Sequence, residues 1–368
     1  MIRVLHTESS NGWGGQELRI LTESNSLNAT GKFECACLIS DKGQMQIRNP
    51  FNTVSLTPGP IGSKTISGIF FVIRTLKEVN PDVVVTHSST DSWLVAIARV
   101  LSRRVFPIIR VRHVSAPISK NFLTKWLYSS AAKIVTTSDA IKEYIAARLG
   151  IDDSKIFAVP TGVDTSYFSP CTTQVKMKLR RKWSISDRTF VFGMVSTLRS
   201  WKGHSYAIRA LKRLEDLDCL LIIVGDGPQF ENLKIEVDAL GVSERVIFRG
   251  YISDVREELY TLDAFLQPSY ANEGVSQSLL QAMASGLPVI VSDIGGLNEV
   301  VVEQSNGLIC LPQDEEHLAR RMRAIVVQTF DRKSLGNTAR HEVEKNHSLE
   351  SMTLEMERLI ESVVVKKN

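Results

Sequence analysis

The sequence lacks the features that mark membrane-spanning, secreted and disulfide-rich proteins. Its purely apolar runs, such as Ile69 to Ile73, are far below the roughly 20 residues that span a bilayer. The N-terminus carries no apolar segment of signal-peptide length, so we expect a cytoplasmic protein. The 368 residues include only five cysteines, an odd number without metal-site spacing. We therefore expect reduced, packed cysteines.

Acidic residues are missing from one long stretch of the chain. Between Asp91 and Asp139 there is no Asp or Glu, whereas the same interval contains eight Lys and Arg. Residues 1–168 carry 19 basic and 13 acidic side chains, a net +6, and the remainder carries 25 and 27, a net −2. A one-sided basic face attracts anionic partners such as acidic lipid, lipid-linked diphosphate or nucleic acid. The alternative is an unevenly solvated surface.

Short β-branched runs alternate with helical patterns, which predicts an α/β fold with parallel sheets. We predict five strands and five helices from Ile2 to Pro160, six of each from Phe190 to Lys345, and a last helix over Leu349–Val364. The irregular stretch Thr161–Ser186 is the predicted linker. The predicted domains are 1–168 and 169–345, both Rossmann-like, with a helix in 346–368 that packs back on the first domain. Because ligands bind at the carboxyl ends of parallel strands, we expect the functional residues on the loops that follow strands.

The first such loop contains the glycine pair Gly14 and Gly15. Adjacent glycines let the backbone approach a ligand and direct its amides at an anion. The loop does not match Gly-x-Gly-x-x-Gly, which argues against a dinucleotide oxidoreductase. A tight turn between strand and helix is the alternative interpretation.

Two cations follow the predicted strand Phe190–Ser196. Arg199 and Lys202 lie three residues apart just before a helix, and a planar guanidinium with a point-charge ammonium suits a diphosphate. The alternative is two solvated surface cations. Gly225 and Gly250 end two further strands, where a nucleotide could lie against the backbone.

The strongest motif begins at Glu273 and leads into a helix predicted to start near Val275. A helix start exposes free amides to phosphate or sugar hydroxyls. Ser276 and Gln277 lie at this start, and Gln281 lies one turn after Gln277 on the same helix face.

The run from Phe190 to Pro312 resembles the donor half of family 4 glycosyltransferases, which are retaining enzymes of GT-B fold with two domains facing across a cleft. The resemblance extends to the N-terminal half through the Gly14–Gly15 loop and His113, and to the linker. It implies that Arg199 and Lys202 bind the diphosphate, and that Glu273, the first carboxylate of a Glu-x7-Glu motif, faces the donor sugar. It also implies that Val275, Ser276 and Gln277 at the helix start bind the donor, and that His113 approaches the transferred sugar.

The sequence departs from the family pattern at two points. The second Glu of the motif, which pairs with ribose hydroxyls, is Gln281, and the usual Phe-Gly is Val275–Ser276. The neutral amide of Gln281 can still form a hydrogen bond with a hydroxyl. The affinity for the donor, or the identity of the donor, then need not be that of the family.

The resemblance implies a metal-independent glycosyltransferase without a cofactor, whose donor is a nucleotide-diphosphate sugar. Asp216 and Asp218 form an Asp-x-Asp, but they precede a strand, so we expect no metal site there. For the acceptor we expect a glycan, lipid-linked or of lipopolysaccharide or capsule type. With such an acceptor, we expect the enzyme to be cytoplasmic, either free or bound peripherally to the cytoplasmic face of an anionic membrane. We expect no nucleic-acid partner. The alternatives are a nucleotide-sugar epimerase and a catalytically weak partner subunit, and the sequence gives no oligomeric state.

Overall fold

The computed structural model describes residues 1–113, 117–271 and 273–364. The chain divides into two compact units: the first unit is Met1–Gly162 with Leu349–Asn368, and the second unit is Val163–Ser348. The sequence-based boundary at residue 168 lies six residues beyond 162, and the one at residue 345 lies three before 348. Residues 365–368 of the predicted last segment lie outside the described part of the chain.

The first unit is built on a seven-stranded, all-parallel sheet of order β3-β2-β1-β4-β5-β6-β7. Its central strands are short apolar runs; all four residues of β4 are buried. The prediction of five strands was too low, because β2 and β3 were not identified. The strands are β1 (Ile2–Glu8), β2 (Phe33–Ser40), β3 (Ser55–Gly59), β4 (Val83–Thr86), β5 (Ile108–Arg112), β6 (Lys133–Thr136) and β7 (Ile156–Ala158).

Helices cover both faces of this sheet, and the last helix of the chain joins them. It packs Met352, Met356 and Ile360 into one core cluster with Val4 and Val83. The helices of the first unit are α1 (Gly15–Ala29), α2 (Met45–Arg48), α3 (Ile66–Val79), α4 (Ser89–Ser102), α5 (Phe122–Ser129), α6 (Asp139–Leu149) and α14 (Leu349–Val363).

The second unit contains a six-stranded, all-parallel sheet of order β10-β9-β8-β11-β12-β13. Its strands are β8 (Phe190–Val195), β9 (Cys219–Val224), β10 (Val246–Gly250), β11 (Ala264–Gln267), β12 (Val289–Ser292) and β13 (Leu308–Cys310). Its helices are α7 (Thr173–Lys182), α8 (His204–Lys212), α9 (Phe230–Ala239), α10 (Arg256–Thr261), α11 (Gln277–Ala284), α12 (Glu315–Val326) and α13 (Arg332–Asn346).

Helix α7 corrects the prediction that Thr161–Ser186 is an irregular linker. The helix begins at an N-cap, where the Thr172 hydroxyl accepts from the Val175 amide. Lys176 and Arg180 on α7 both bind the Asp263 carboxylate, at 2.6 and 2.5 Å. The segment therefore belongs to the second unit rather than to a free connection.

Two apolar clusters line opposite faces of the second sheet, because alternate residues of a strand point to opposite sides. Phe192 belongs to one cluster and Val191 to the other. With both faces covered, polar side chains are accessible mainly at the strand ends. Among the described residues, no helix has the length and apolar character needed to cross a bilayer.

Candidate active site

The carboxyl edge of the second sheet presents two cations on the loop after β8. Arg199 is exposed, and its guanidinium lies 5.1 Å from the ring centroid of Trp201. A single 3-10 turn, Ser200–Lys202, follows, and α8 begins two residues after Lys202. The structure thus places the predicted diphosphate ligands at the strand end and ahead of a helix start.

Lys202 meets the first carboxylate of the predicted motif. Its Nζ lies 2.6 Å from Oε1 of Glu273, and the two side chains are 20% and 9% exposed. These residues are 71 positions apart, on the loops that follow the neighbouring strands β8 and β11. The structure therefore brings together two residues that sequence reasoning assigned to one site.

Close backbone contacts hold both loops in place. A Cβ at Gly203, which has φ +80°, would lie 1.9 Å from the Pro268 carbonyl oxygen, so only glycine fits. A Cβ at Gly295 would lie 2.3 Å from the Glu273 carbonyl oxygen, and the Gly296 amide donates to that oxygen at 3.1 Å. The Lys202–Glu273 pair therefore sits on loops that are braced against each other and against the next strand end.

The predicted nucleotide-side glycines lie at the ends of the neighbouring strands. The Gly225 amide donates to the Gly250 carbonyl at 2.8 Å, which ties the ends of β9 and β10 together. A Cβ at Gly225 would lie 2.0 Å from the Ser196 carbonyl oxygen. At Gly250 a Cβ would meet nothing within 4 Å, so space remains beside that backbone.

Helix α11 begins at Gln277, two residues later than the predicted start at Val275. Ser276 is the N-cap, and its hydroxyl accepts from the Leu279 amide and donates to Oε1 of Gln267 at 3.3 Å. Val275 is buried in the core cluster that contains Val191. The Ser276 side chain is thus engaged within the protein, and its capping position explains where the helix starts.

The two glutamines of α11 retain hydrogen-bonding capacity. Gln281 is 7% exposed, and its side-chain amide has no hydrogen-bond partner within the described residues. Oε1 of Gln277 is buried and likewise unpartnered there. Because the residues are four apart, both side chains lie on one face of the helix.

The glycine loop of the first unit leads directly into α1. Gly14 is the N-cap and Gly15 the first helical residue, so one of the paired glycines belongs to the helix itself. A Cβ at Gly14 would approach no atom closer than 3.7 Å, from Glu17 Oε2. The protein therefore leaves room at this loop.

His113 directly follows β5 and is 8% exposed. Its Nε2 lies 3.0 Å from Nδ1 of His87, and the Thr137 hydroxyl donates to its backbone carbonyl at 3.3 Å. Burial, with Arg19 and Arg112 nearby, lowers the pKa of His113 well below 6.5. The imidazole is therefore uncharged at neutral pH.

Sequence reasoning missed a pair of buried carboxylates at the same edge, Glu8 and Asp91. Burial, and then the Asp91 charge, raise the pKa of Glu8 to about 8. Burial also raises the pKa of Asp91, and the four hydrogen bonds that Asp91 accepts act in the opposite direction, because they favour its ionised form. The donors to Asp91 are the hydroxyls of Thr7 and Ser88 and the amides of His87 and Ser88.

The Asp-x-Asp of the second unit lies at the other end of the sheet, just before β9. The Asp216 carboxylate accepts two bonds of 2.6 Å from Arg323, which lower the pKa of Asp216 to about 2. Asp218 accepts from the Thr189 hydroxyl at 3.0 Å. Within residues 1–113, 117–271 and 273–364, no cluster of three His, Cys, Asp or Glu side chains could hold a metal ion.

The sequence between Asp91 and Asp139 interleaves its cations with Trp93, Phe106, Phe122, Trp126, Leu127 and Tyr128, a combination that predicts a surface resting in a lipid headgroup layer. The structure forms this surface only in part. Phe106, Leu127, Tyr128 and Arg110 are buried, contrary to the expectation that they contribute to it. Phe122 and Leu123, at the start of α5, are 80% and 61% exposed. Arg110 lies on β5, Leu127 and Tyr128 lie on α5, and Phe106 lies just before β5. Apolar periodicity does not show which aromatic side chains face the core.

Comparison with known proteins matches nearly the whole chain to two family models. Residues 13–167 match "Glycosyltransferase Family 4" and residues 175–342 match "Glycosyl transferases group 1". An Escherichia coli UDP-Gal:alpha-D-GlcNAc-diphosphoundecaprenol alpha-1,3-galactosyltransferase is 29% identical over 259 residues, which cover 67% of this chain and 66% of that protein. A 2-deoxystreptamine glucosyltransferase of Streptomyces kanamyceticus is 27% identical over 60% of this chain and 57% of that protein. The matches thus span less than two thirds of these relatives' length.

Solved structures share the architecture over almost their full length. Anabaena HepE in complex with UDP-glucose superposes with a TM-score of 0.87 at 20% identity, covering 98% of this chain and 100% of that chain. A glycosyltransferase from Rickettsia africae has a TM-score of 0.86 at 21% identity, covering 100% and 99%. At these identities the likeness concerns the fold, which is the GT-B architecture of two parallel-sheet α/β domains.

Proposed function

The chain belongs to the glycosyltransferases of group 1 and family 4, and we propose that it moves a sugar from a nucleotide diphosphate to a glycan acceptor with retention of anomeric configuration. Support for the donor class comes from the similar fold of HepE, which is solved with UDP-glucose. Support for a lipid-linked acceptor comes from the E. coli relative, whose name specifies a diphosphoundecaprenol-linked substrate.

The observation that carries the donor assignment is the arrangement of Arg199, Lys202 and Glu273 at one strand edge. Arg199 is exposed, and Lys202 is balanced by a single carboxylate at 2.6 Å. A diphosphate bound here would gain two cations, and the Lys202 ammonium would have spare donors for phosphate oxygens. Glu273 would then remain beside the sugar that the diphosphate carries.

The proposed reaction needs little covalent participation by the protein. The bond from the sugar anomeric carbon to the phosphate oxygen breaks, and a bond to the acceptor oxygen forms on the same face. The acceptor proton moves to the departing phosphate oxygen. Arg199 and Lys202 stabilise the charge that develops on the diphosphate, and such groups contribute most where charge appears. His113 and Glu273 position the sugar.

No metal is required by this arrangement, because two cationic side chains meet the leaving group. Gln281 and Gln277 offer amide groups on one helix face, and we assign Gln281 to the ribose hydroxyls. A neutral amide both donates and accepts, so it can bond a hydroxyl in either sense.

For the acceptor side we propose contact with an anionic membrane through a rim on the first unit. This basic–apolar rim consists of Lys64, Ile66 and Phe70 at the start of α3, and Lys120, Phe122 and Leu123 at the start of α5. Its four apolar side chains are 61–80% exposed. Apolar side chains flanked by lysines suit a headgroup layer, where each cation contributes about 1 kcal/mol.

The two parts of the rim are connected by stacked aromatic rings. Lys64 lies over the Trp93 ring at 5.4 Å, and Trp93 stacks on Trp126 at 5.9 Å. Phe122 lies one turn before Trp126 on α5. The rim therefore follows the helix starts, which lie at the carboxyl edge of the sheet where the acceptor is expected.

A transfer assay tests the reaction. Purified protein is incubated with a panel of nucleotide-diphosphate sugars, with and without lipid-linked glycan acceptors, and nucleotide release is measured. We expect release that depends on acceptor, and a product whose anomeric proton coupling shows retention. Acceptor-independent conversion of the donor would indicate an epimerase, and an inverted product would contradict the proposed stereochemistry.

Vesicle sedimentation tests the membrane contact separately. Wild-type protein should sediment with anionic vesicles at low salt and be released as salt is added. The variant Phe122→Ser with Leu123→Ser should remain in the supernatant. The matched control, Val100→Ser with Leu101→Ser, changes equally exposed apolar residues at the opposite end of α4 and should sediment like the wild type. Equal behaviour of the two variants would remove the rim from the proposal.

A further inference from the structure

Three histidines form a ladder of stacked rings across the first sheet. His6 lies on β1, His87 follows β4 and His113 follows β5, three strands that are neighbours in the sheet. The ring centroids are 5.3 and 5.2 Å apart, close to the spacing of adjacent strands. Two hydrogen bonds of 3.0 Å connect the rings: His6 Nδ1 with His87 Nε2, and His87 Nδ1 with His113 Nε2.

All three imidazoles are uncharged at neutral pH. Burial lowers the pKa of His6 to about 3 and lowers the pKa of His87 well below 6.5. The other two rings and Arg19 act in the same direction on His87. The charged groups around the ladder are Arg19 and its partner Glu23 on α1, Arg112 on β5, and Asp91 on α4, which accepts from the His87 amide.

A neutral imidazole has one donor and one acceptor nitrogen, so the bonds of the ladder share one direction. Nε2 of His6 is buried and has no partner among the described residues. An orphaned buried N–H is rarer in proteins than an under-used acceptor. The proton of His6 is therefore placed on Nδ1, which donates to His87, and His87 in turn donates from Nδ1 to His113 Nε2.

This direction leaves the proton of His113 on Nδ1, which has no hydrogen-bond partner within the described residues. We propose that the ladder makes His113 an uncharged Nδ1–H donor toward a substrate oxygen, with His87 and His6 as positioning residues. The inference rests on the proposed function, in which His113 meets the transferred sugar. An N–H donor without charge can orient that sugar without opposing its developing positive charge.

The tautomers can be measured without any substrate. In the full chain labelled with ¹⁵N-histidine, imidazole spectra from pH 5.5 to 8.5 report the protonated nitrogen of each ring, and assignment uses His6→Asn, His87→Asn and His113→Asn. We expect three rings that do not titrate in this range and a His113 proton on Nδ1. A His113 proton on Nε2, or titration of the ladder, would overturn the inference.

Kinetic measurements distinguish a positioning role of His6 from a role in packing alone. His6 lies two strands from His113, so it acts only through the ladder. We expect His6→Phe to lower kcat by about tenfold with little change in donor KM, since one hydrogen bond is lost. His6→Asn places an amide N–H near the position of Nδ1 and should recover kcat to within about twofold. The control His341→Asn changes an exposed histidine and should leave kcat unchanged.

Equal kcat values in folded His6→Phe and His6→Asn would overturn the positioning role. If His6→Phe does not fold, the imidazole spectra of the wild type and the kcat of His6→Asn still test the proposal. A wild type with the expected spectra but no transfer from any donor would refute the proposed function and leave the ladder standing. The two failures are therefore distinguishable.

Discussion

The carboxyl edges of the two sheets both carry polar side chains, but they differ in burial and in charge. In the first unit the edge is buried: three uncharged imidazoles and Glu8, whose pKa is raised to about 8, lie there with the Asp91 carboxyl group. In the second unit the edge is charged and partly open, with Arg199 exposed and Lys202 paired to Glu273. The difference leads us to expect that the first edge is organised before substrate binds, whereas the second needs an anionic ligand to balance its cations.

The largest effect is expected at the charged edge. Arg199→Ala and Lys202→Ala should each lower kcat by about 10²-fold or more, as loss of a charge-stabilising group does. Nucleotide release measures the rate, and circular dichroism checks the fold. The matched control is Arg213→Ala: Arg213 follows the far end of α8 and binds Glu315 and Glu316, so its loss should leave kcat unchanged. Near-normal turnover in both site variants would remove these cations from the mechanism.

A smaller effect is expected at Gln281, which is buried beside the charged edge without a side-chain partner in the described chain. Gln281→Leu should weaken donor binding by roughly 5- to 150-fold, the equivalent of about 1–3 kcal/mol for an unpaired polar group. Gln281→Glu restores an acceptor and should bind the donor at least as well as the wild type. Titration calorimetry measures both, and an unchanged Kd in Gln281→Leu would show that this side chain does not meet the ribose.

The buried carboxyl edge of the first sheet should make the free energy of unfolding depend on pH. The pKa of Glu8 is raised to about 8 in the folded state from 4.5, so the unfolded state binds fewer protons between these values and stability falls as pH rises. The pKa of His6 is lowered to about 3 from 6.5, so its contribution to stability rises with pH and is complete above 6.5. From pH 7 to pH 8 the Glu8 effect is the largest, a loss of about 1 kcal/mol, and the last part of the histidine titration in the unfolded state offsets some of it.

Urea unfolding at these two pH values measures that loss. In Glu8→Gln the carboxyl is replaced by an uncharged group of the same shape, so the decline should disappear. A decline of equal size in Glu8→Gln and wild type would assign the proton to another group.

The smallest effect is expected at Asp216, which lies away from both carboxyl edges. Asp216→Asn breaks an exposed pair with Arg323 and should leave kcat unchanged, because such surface pairs contribute little. Excess EDTA should likewise leave the wild-type rate unchanged. A strict need for manganese or magnesium would contradict a mechanism based on two cationic side chains.

The sequence by itself determined the class of fold and the edge of each sheet at which the candidate site residues lie. Alternating strand and helix patterns predict parallel sheets, and parallel strands put their carboxyl ends on one edge. Arg199 and Lys202, three residues apart after a strand, could therefore be placed at that edge. Strand β2 was missed although its eight residues carry a strand pattern. Strand β3, which contains a proline and a glycine, and the basic helix α7 have weak local patterns, and tertiary packing decides whether such segments are ordered.

Only the tertiary structure decided which of these residues meet and which are charged. Sequence periodicity shows the faces and ends of a strand but not its lateral neighbours, so the contact of His6 with His87, 81 residues away, was not predictable. The pairing of Lys202 with Glu273 depends in the same way on β8 lying beside β11. Charge state depends on burial by distant segments: Glu8 holds a proton near neutral pH because the surrounding chain excludes water from its carboxyl group.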